Sequence, residues 1–436
     1  MLGISLWRGL LGLEDTAIEN VVRDAAGSLV VHVRPMSRQR GRCGRCRKRS
    51  PGYDRRPRRR RWRTLDQGTT MTFLEADSPR VRCRSHGVVV AHVPWAAHGA
   101  GHTHTFDQQV AWLAVRTSKQ ACTELMRIAW RTVGAIIARV YVRAQEQTQT
   151  ATGRDGLDGL RRIGIDEISY KRNYKYVLVV VDHDTGTLVW AAEGRERATV
   201  RQFFDDLGPD RATLITHVSA DGADSIAAVV ADRAPQAVLC ADPFHVVGWA
   251  NTALTRVRID AWNQARVLAR KDPKMLTGWA RRTQQLPGRD RALALKGSRF
   301  ALWKNPENLS EKQRAKLEWI ALSEPMLYRA YKLKEALRLI FRLPIEHARP
   351  ELDAWIRWAQ RCRIPAFVEL GRRIRRHRGR ILAAIEHGMS NGLVESVNTK
   401  IRLLTRTAFG FHNAKAMIAI AMLSLGYHRP ALPGRN

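Results

Sequence analysis

Short stretches rich in branched apolar residues, bounded by turn residues, recur between residues 161 and 242 and predict five β-strands. The first three, RRIGIDEIS, YKYVLVVVDHDTG and TLVWAAEG, form a predicted three-strand meander with a turn at Asp184-Thr185-Gly186. The helical stretch ATVRQFFDDLG leads to the strand LITHVSADGAD, and DSIAAVVADRA leads to QAVLCADPFHV. Each of these last two strands ends at an acid. Strands that alternate with helices after a meander predict an α/β domain with a mixed sheet.

The N-terminal part alternates apolar and polar residues over Leu29 to Val33, as a half-buried strand does, and then enters a basic turn with two cysteines. The stretch TTMTFLEADSPRVRC predicts a hairpin that turns at Asp77-Ser78-Pro79. Together these segments bring a Cys-x2-Cys pair beside a Cys-x2-His pair, namely Cys43, Cys46, Cys83 and His86. Three thiolates and one imidazole complete a structural Zn²⁺ site. The long gap between the pairs leaves the alternative of two unrelated pairs of ordinary residues.

From Thr105 the apolar period becomes helical, in FDQQVAWLAV, SKQACTELMRI and AWRTVGAIIARVYVRA. Ser118 suits the N-cap of the second helix, and Arg127-Ile128-Ala129 is a short turn before the third. This order predicts a helix-turn-helix, although a generic three-helix bundle remains open. The last helix would offer these side chains to a DNA major groove: Arg131, Thr132 and Arg139. The polar stretch QEQTQTATGRDGLDG then predicts a linker.

Residues from about 260 to 386 show helical periodicity and no strand pattern, which predicts an all-helical block. Turn residues at Pro287-Gly288 and Asn305-Pro306 divide it into several helices. The later segment MSNGLVESVNTKIRLLTRTAFGFHN predicts a helix capped by Ser390 or Asn391. That helix carries Glu395, Asn398, Lys400 and Arg402.

Charge changes this picture, because the formal net charge is +34 and the pI is about 11.1. Such an excess favours a polyanion, and nucleic acid is the leading partner, with a ribosome-like structural protein or a membrane-surface binder as the alternatives. The densest basic run lies around Trp62: Arg55, Arg56, Arg58, Arg59, Arg60, Arg61 and Arg63. We interpret it as a phosphate-binding or minor-groove arm, although a solvated charge run is the usual alternative.

No apolar run approaches the ~20 residues of a membrane span, and the N-terminal stretch lacks the features of a signal peptide. The three isolated cysteines, Cys122, Cys240 and Cys362, are expected to be buried apolar residues.

Carboxylates are scarce, at 40 acidic against 74 basic residues, so their positions carry information. Asp166 lies within the first strand, Asp221 at the end of the fourth, and Glu395 early in the late helix. These acids would repel one another unless a cation neutralised them, and Mg²⁺ binds one or two carboxylates together with substrate phosphates. Two such ions can activate water or a 3′-hydroxyl in phosphodiester chemistry. Acids at strand ends are common, so this pattern alone leaves the assignment open.

Several ordered segments resemble the ISL3 family of bacterial insertion-sequence transposases: GIDEIS, HVSADGADSIAAVVADRAPQAVLCADPFHVV, LWKNPENLSEKQ, SNGLVESVNTKIR and GFHNAKAMIAIAML, preceded by CxxC…CxxH. The resemblance runs from Leu11 to about Tyr427. It implies a multidomain α/β protein: a DDE transposase with an RNase H-like catalytic core interrupted by an all-helical insertion, after a zinc-ribbon-like module and a helix-turn-helix.

The corresponding boundaries are 1–95 for the zinc-binding domain, 103–146 for the helix-turn-helix, 147–160 for the linker, 161–262 and 387–430 for the two parts of the core, and 263–386 for the insertion.

The resemblance also implies roles for individual residues. Asp166 matches the first catalytic acid, Asp221 the second and Glu395 the third, and together they would hold Mg²⁺ or Mn²⁺. In the motif Asp242-Pro243-Phe244-His245, His245 would orient the scissile phosphate or an acid ligand. A structural hydrogen bond at the start of a helix is the alternative for His245. The family more often has Arg where this chain has Pro243, which puts a phosphate contact from that position in doubt.

Strand alternation bears on the choice between Asp166 and its neighbour Glu167. Successive side chains point to opposite faces, so Glu167 shares a face with Ile163 and Ile165, whereas Asp166 shares one with Gly164. The face with Gly164 is expected to leave room for metal and phosphate. This favours Asp166 as the ligand and Glu167 as a supporting residue.

The resemblance further implies partners: the transposon ends and target DNA as double-stranded substrates, and a homodimer or higher assembly on DNA, in the bacterial cytoplasm. Trp303 of the helical insertion is a candidate for contact with flanking DNA, with core packing as its alternative. Two other functions stay open, namely a non-catalytic sequence-specific DNA-binding regulator and a structure-selective nuclease of the same fold.

Overall fold

The computed structural model describes residues 2–54, 59–171, 175–221, 224–271 and 288–434. By packing, the chain forms two units, one of Met1–Gly156 with Ile401–Asn436 and the other of Leu157–Lys400. No helix in the described ranges is long and apolar enough to cross a membrane.

The strands of the first unit are β1 (Thr16–Arg23), β2 (Leu29–Pro35), β3 (Arg59–Arg63), β4 (Thr72–Asp77), β5 (Arg80–Cys83) and β6 (Gly87–Val90). Its helices are α1 (Leu2–Leu11), α2 (His104–Ala114), α3 (Lys119–Met126), α4 (Trp130–Thr152) and, near the C terminus, α17 (Ala414–Leu425). Strands β1 to β4 form one sheet in the order β1-β2-β4-β3, and β5 pairs with β6.

The predicted hairpin across Asp77-Ser78-Pro79 is wrong. The two strands exist, but β4 pairs with β2 and β3, whereas β5 pairs with β6. Alternation predicts that a segment is a strand and does not specify its partner. Pro79 also lacks the N–H that would continue the ladder, so the chain changes sheets there.

The three helices predicted from Thr105 onward are confirmed as α2, α3 and α4. The Ser118 hydroxyl accepts a hydrogen bond from the Ala121 N–H at 3.1 Å, which makes Ser118 the N-cap of α3. Arg127 ends α3 in the left-handed conformation with φ 51°, and α4 starts three residues later. The expected turn between the last two helices is therefore present.

Helix α4 is longer than its pattern predicted, because it continues through Thr152 into the segment expected to be a linker. Gly153, with φ 67°, ends the helix. The end of the expected linker is structured as well, since Leu157 and Leu160 are buried in the second unit. The polar composition of the segment predicted exposure to solvent. A linker and a solvent-exposed helix both satisfy that prediction, so composition alone did not distinguish them.

Helix α17 packs in the first unit, where Ile420 and Leu423 join Phe106 and Ile136 in one apolar core. This differs from the predicted assignment of 387–430 to the catalytic core. The stretch AKAMIAIAMLSL is apolar around most of its circumference, so its pattern indicated burial without indicating the neighbour.

The second unit contains a five-stranded sheet of β7 (Arg162–Lys171), β8 (Lys175–Asp182), β9 (Thr187–Glu193), β10 (His217–Ala220) and β11 (Val238–Ala241). The order is β11-β10-β7-β8-β9. Strand β8 runs antiparallel to β7 and β9, whereas β10 is parallel to β7 and β11. The predicted meander and mixed sheet are confirmed.

The helices flanking these strands are α5 (Arg197–Leu207), α6 (Pro209–Ala212) and α7 (Asp224–Arg233). Apolar side chains of the sheet, such as Ile163, Ile165 and Val180, pack with Phe203 and Val229 of α5 and α7. Because the central strands are buried, a polar residue within them requires a partner or a function.

The helical block follows β11 with α8 (Pro243–Lys271), α9 (Gly288–Lys296), α10 (Arg299–Trp303), α11 (Glu311–Ser323), α12 (Pro325–Ile340), α13 (Ile345–Arg361), α14 (Pro365–Arg376) and α15 (Arg378–Glu386). The block has its own core, which includes Leu254, Leu333, Leu352 and Phe367. Helix α8 runs without a break from the edge of the sheet into this core, so the boundary predicted at residue 263 falls inside one helix. Pro287 lies outside the described residues. The chain then returns to the sheet through α16 (Gly392–Thr407).

Candidate active site and zinc centre

Parallel strands place the first acids at one edge of the sheet. Asp166 lies in β7, and Asp221 and Asp242 are the first residues after β10 and β11. Because these three strands are parallel neighbours, their carboxyl ends meet at the same edge, where ligands of open α/β sheets usually bind. The acids interact electrostatically: burial raises the pKa of Asp166, and the charges of Asp221 and Asp242 raise it further.

The final acid helix contacts Asp166 directly. The side-chain amide of Asn398 in α16 donates to Oδ2 of Asp166 at 2.8 Å, and the Glu167 N–H donates to Oδ1 at the same distance. Asn398 is 2% exposed. Since Asn398 follows Glu395 by one helical turn, this bond ties the helix of the third predicted acid to the strand of the first.

Asp242 and His245 form a second pair at the site. Nδ1 of His245 lies 2.6 Å from Oδ2 of Asp242, and the Asn391 N–H donates to Oδ1 at 3.2 Å. Burial by itself would raise the pKa of Asp242, but these hydrogen bonds outweigh it and hold the pKa below its ordinary value. The hydrogen bond with Asp242 raises the pKa of His245. Ligand atoms of Asp242, His245 and Glu395 all lie within 4.8 Å of one another.

A chain of buried hydrogen bonds lies beside this cluster. Nε2 of His183 lies 2.7 Å from the Ser219 hydroxyl, which donates in turn to Oδ1 of Asn391. Ser219 and Asn391 are fully buried, and the backbone of Asn391 contacts Asp242. The network therefore fixes the start of α16 against the ends of β10 and β11.

The reason predicted for preferring Asp166 to Glu167, open space on the Gly164 face of β7, is wrong. The face of β7 at Gly164 has no free room, because a Cβ there would overlap a Val394 methyl of α16 and lie 3.1 Å from the Ser219 Oγ. The glycine instead allows α16 to approach β7. Glu167 has a pKa raised to about 7 by burial and then by the charge of Asp221, so it also borders the acids.

The close approach of α16 gives a stability prediction. Gly164→Ala should destabilise the second unit by about 1–3 kcal/mol, as overpacking of a rigid core does. Val394→Ala in the same chain should recover part of that loss, because it removes the overlapping methyl group. Urea unfolding of the single and double variants measures both effects. Equal stability of Gly164→Ala and the parent would contradict the packing described.

The predicted zinc ligands do come together. Nδ1 of His86 lies 3.7 Å from Sγ of Cys43 and 3.6 Å from Sγ of Cys83, and Sγ of Cys46 lies 3.7 Å from that of Cys83. Ligand atoms at zinc-bond lengths in a tetrahedron are separated by about 3.5–3.8 Å, so the cluster matches the size of a Cys3His zinc site. A hydrogen bond with His86 lowers the pKa of Cys83 to about 6, which favours the thiolate.

Residues Arg59–Arg63 of the basic run form strand β3, and the arginines of this strand differ in their exposure to solvent. Trp62 is buried, and Arg59 and Arg61 both donate to the Glu75 carboxylate, at 2.8 and 2.7 Å. Arg60 donates to the Ala100 carbonyl. Arg63 is 5% exposed and lies beside Asp66, so its prediction as a DNA contact is wrong. Its guanidinium carbon lies 5.7 Å from the centroid of the Phe106 ring. The predicted contacts Arg55, Arg56 and Arg58 lie outside the described residues.

The remaining predicted DNA contacts also divide into exposed and internally bonded side chains. Arg131 is exposed and Thr132 half-buried on α4, and Lys400 and Arg402 are exposed on α16. Arg139 instead makes a two-pronged ion pair with buried Asp107, at 2.7 and 2.8 Å, which fastens α4 to α2. Its role as a major-groove contact stays a prediction, and the structure gives its guanidinium a second role in joining these two helices.

Trp303 likewise makes internal contacts. Its indole N–H donates to the Thr255 hydroxyl at 2.9 Å, and the Arg299 guanidinium lies 4.0 Å from its ring. These contacts favour packing, the alternative role for Trp303.

The sequence analysis did not assign three residues to the site: Asp242, Asn391 and Asn398. Asp242 had a signal, because it ends a strand just as Asp221 does. The two asparagines lie seven positions apart on a buried helix face with Val394, and their partners are distant in sequence. No local pattern indicates such partners.

Comparison with known proteins gives three family matches in chain order. A zinc-finger model of transposases of the elements IS204, IS1001, IS1096 and IS1165 matches residues 39–86, a model of the helix-turn-helix domain of transposase family ISL3 matches 91–141, and the ISL3 transposase model matches 163–421.

Curated relatives agree with these matches. The transposase for insertion sequence element IS1557 of Mycobacterium tuberculosis is 56% identical to the chain, over all of the chain and 98% of the relative. The transposase for IS1001 of Bordetella parapertussis is 26% identical over 81% of each chain.

Proposed function

The chain belongs to the ISL3 family of transposases, which act in DNA transposition, and we propose that it cleaves transposon ends and joins them to target DNA with the acids Asp166, Asp221 and Glu395. The observation that supports the proposal is that Asp166 of β7 interacts electrostatically with Asp221 and Asp242, while Glu395 of α16 lies within 4.8 Å of Asp242 and His245. Cleavage of a labelled transposon-end duplex by the purified chain tests it.

The strand order supports an RNase H-like core. The meander β7-β8-β9 supplies three strands, and the two parallel strands β10 and β11 add on the side of β7. The helical block between β11 and α16 would then be an insertion ahead of the third acid. In this assignment Asp166 lies on the central strand, where the buried sheet fixes its position.

The residues of the site suit a hard divalent cation. Carboxylate oxygens are the ligands that Mg²⁺ and Mn²⁺ take. Burial and the neighbouring acidic charges raise the pKa of Asp166 and of Glu167, and a bound cation would offset that repulsion. Asp166, Asp221 and Glu395 would hold the metal, which when bound would supply Lewis-acid activation of water or a 3′-hydroxyl. The cationic form of His245, favoured by Asp242, would attract the scissile phosphate.

We propose that the first unit recognises and binds the DNA of the transposon end. The Cys3His cluster suits structural zinc, and a helix-turn-helix domain implies DNA binding. We propose that Arg131 and Thr132 at the exposed start of α4 contact the major groove. Lys400 and Arg402, exposed on α16, are proposed separately as phosphate contacts. Joining of two ends calls for at least two copies on DNA, acting in the bacterial cytoplasm.

Asn398 gives a prediction about how the first acid is oriented. Asn398→Ala should raise the half-saturating Mg²⁺ concentration for cleavage by about 10–100-fold, the usual cost of losing a residue that orients a metal ligand. The affinity of the Asn398→Ala chain for DNA in EDTA should equal that of the parent chain. Cleavage rates over a range of Mg²⁺, together with the rise in melting temperature that Mg²⁺ produces, measure the change.

Ser396→Ala is the matched control, because Ser396 is exposed on the same helix beside Glu395. It should keep the Mg²⁺ dependence of the parent. A lower melting temperature in Asn398→Ala with an unchanged Mg²⁺ dependence would show a purely structural role and contradict the orienting role.

A further inference from the structure

The second half of α14 presents a row of basic side chains. Its exposed residues include Arg372, Arg373, Arg375 and Arg376. Its buried side is apolar and consists of Phe367, Leu370 and Ile374. Positions three and four apart share one side of a helix, so Arg372, Arg375 and Arg376 point the same way. These three residues are called the arginine ridge below.

Acidic side chains do not neutralise this ridge. Among the described residues, no ion pair includes Arg372, Arg375 or Arg376, and the nearby Glu369 pairs with Arg256. Like charges three and four positions apart destabilise a helix by roughly 0.2–0.5 kcal/mol per pair. The ridge therefore costs stability in the isolated chain, and a polyanion would relieve that repulsion.

The ridge lies close to the candidate active site. The guanidinium of the adjacent Arg373 lies 3.7 Å from the Trp249 ring of α8. Trp249 follows His245 by four residues, which is one helical turn or about 6 Å along the axis. Arg373, the chain neighbour of Arg372 in the ridge, thus contacts a side chain one helical turn along α8 from His245, a member of the cluster with Asp242 and Glu395.

Packing holds α14 in a fixed orientation. A Cβ at Gly371 would lie 3.1 Å from Cβ of Ala359 and 3.2 Å from Cγ of Gln360, so the glycine allows close contact between α14 and α13. His377, the residue after α14, is 5% exposed and lies with its ring 5.4 Å from that of Trp249. The arginines consequently project from a rigid support.

We propose that the arginine ridge binds the phosphodiester backbone of the DNA segment next to the scissile phosphate. Guanidinium groups match phosphate geometry through paired N–H donors, and they remain charged at any pH of interest. A fixed row that starts near the acids would hold the duplex while the acids hold the metal. The inference rests on the proposed function, because it takes the acid cluster as the point of cleavage.

The test compares two charge-neutralised chains. Arg375→Gln with Arg376→Gln removes two charges of the ridge, and Lys312→Gln with Arg314→Gln removes two exposed charges from α11 of the same helical block. Affinity is measured in EDTA over a range of NaCl, with a duplex that spans the cleavage point and with a duplex of the inner half of the terminal repeat only. Circular dichroism and melting temperature confirm that both variants fold.

Each phosphate contact contributes about 0.9 to the slope of log affinity against log salt, so the ridge variant should lose up to about 1.8 on the spanning duplex. It should match the parent on the inner-half duplex, and the α11 variant should match the parent on both. An unchanged slope for the ridge variant on the spanning duplex, or an equal loss in the α11 variant, would overturn the proposal.

The same data separate this proposal from the proposed function. If the parent cleaves with a requirement for Asp166 while the ridge variant keeps the parent slope, only the ridge assignment fails. If the ridge variant loses slope on the spanning duplex but the parent does not cleave, the phosphate contact of the ridge holds, whereas the cleavage assignment and the placement of the ridge beside a scissile phosphate fail.

Discussion

Asp166→Asn is expected to slow end cleavage by about a thousandfold or more, because a lost metal ligand removes several kcal/mol of transition-state stabilisation and about 4 kcal/mol corresponds to a factor of a thousand. The substitution keeps the size of the side chain and removes its charge. Asp221→Asn and Glu395→Gln should show losses of similar size, and a double variant should lose little more, since the acids act as one unit. Single-turnover cleavage of a labelled end duplex measures each rate.

Glu167→Gln is the matched control for this experiment, because Glu167 adjoins Asp166, borders Asp221 and has a raised pKa. Its cleavage rate should stay within about tenfold of the parent, as expected for a residue that acts through others. A thousandfold loss in Glu167→Gln with substantial activity in Asp166→Asn would exchange the two assignments and contradict the site described.

Cys43→Ser is expected to release zinc from the first unit and to abolish specific binding to the transposon end. A tetrahedral site that loses one of its four ligands loses most of a binding free energy on the order of 10 kcal/mol, and that free energy also folds the module. Weak affinity that falls steeply with salt should remain, because most of the positive charge is unchanged. Zinc content per chain and competition between specific and unrelated duplexes measure the two effects.

Cys122→Ala provides the control for thiol removal in the same unit. Cys122 is buried in the apolar core of the three helices, and burial raises its pKa to about 11, so it is a thiol and not a metal ligand. Its variant should keep one zinc per chain and bind the end specifically. Full zinc content and specific binding in Cys43→Ser would contradict the zinc assignment.

Local patterns were sufficient to predict many elements of this fold. Apolar runs bounded by turn residues predicted the five strands of the second unit, and Ser118 marked the start of α3 because an N-cap is a local hydrogen bond. The order of the strands β7 to β9 also followed from short turns. The burial of Cys122, Cys240 and Cys362 was expected from their surroundings and is confirmed.

Features that depend on distant partners were not predictable in this way. The pairing of β4 with β2, the position of Arg63 against the Phe106 ring and the ion pair of Arg139 all depend on residues far away in sequence. Gly164 is the clearest case. Its small size predicted open space beside the strand, whereas in the structure α16 packs closely against that position. Asn398 looked like an ordinary helix residue until its bond to Asp166 was seen.

Strand transfer tests the central claim most directly. A labelled, precleaved transposon end is incubated with the purified chain, supercoiled target DNA and Mg²⁺, alongside a chain that carries both Asp166→Ala and Asp221→Ala. We predict covalent joining of the labelled 3′ end to the target by the parent chain in Mg²⁺, and none in EDTA or with the double variant. Binding without joining would indicate a DNA-binding regulator, hydrolysis without joining would indicate a nuclease, and joining by the double variant would contradict the assignment of the acids.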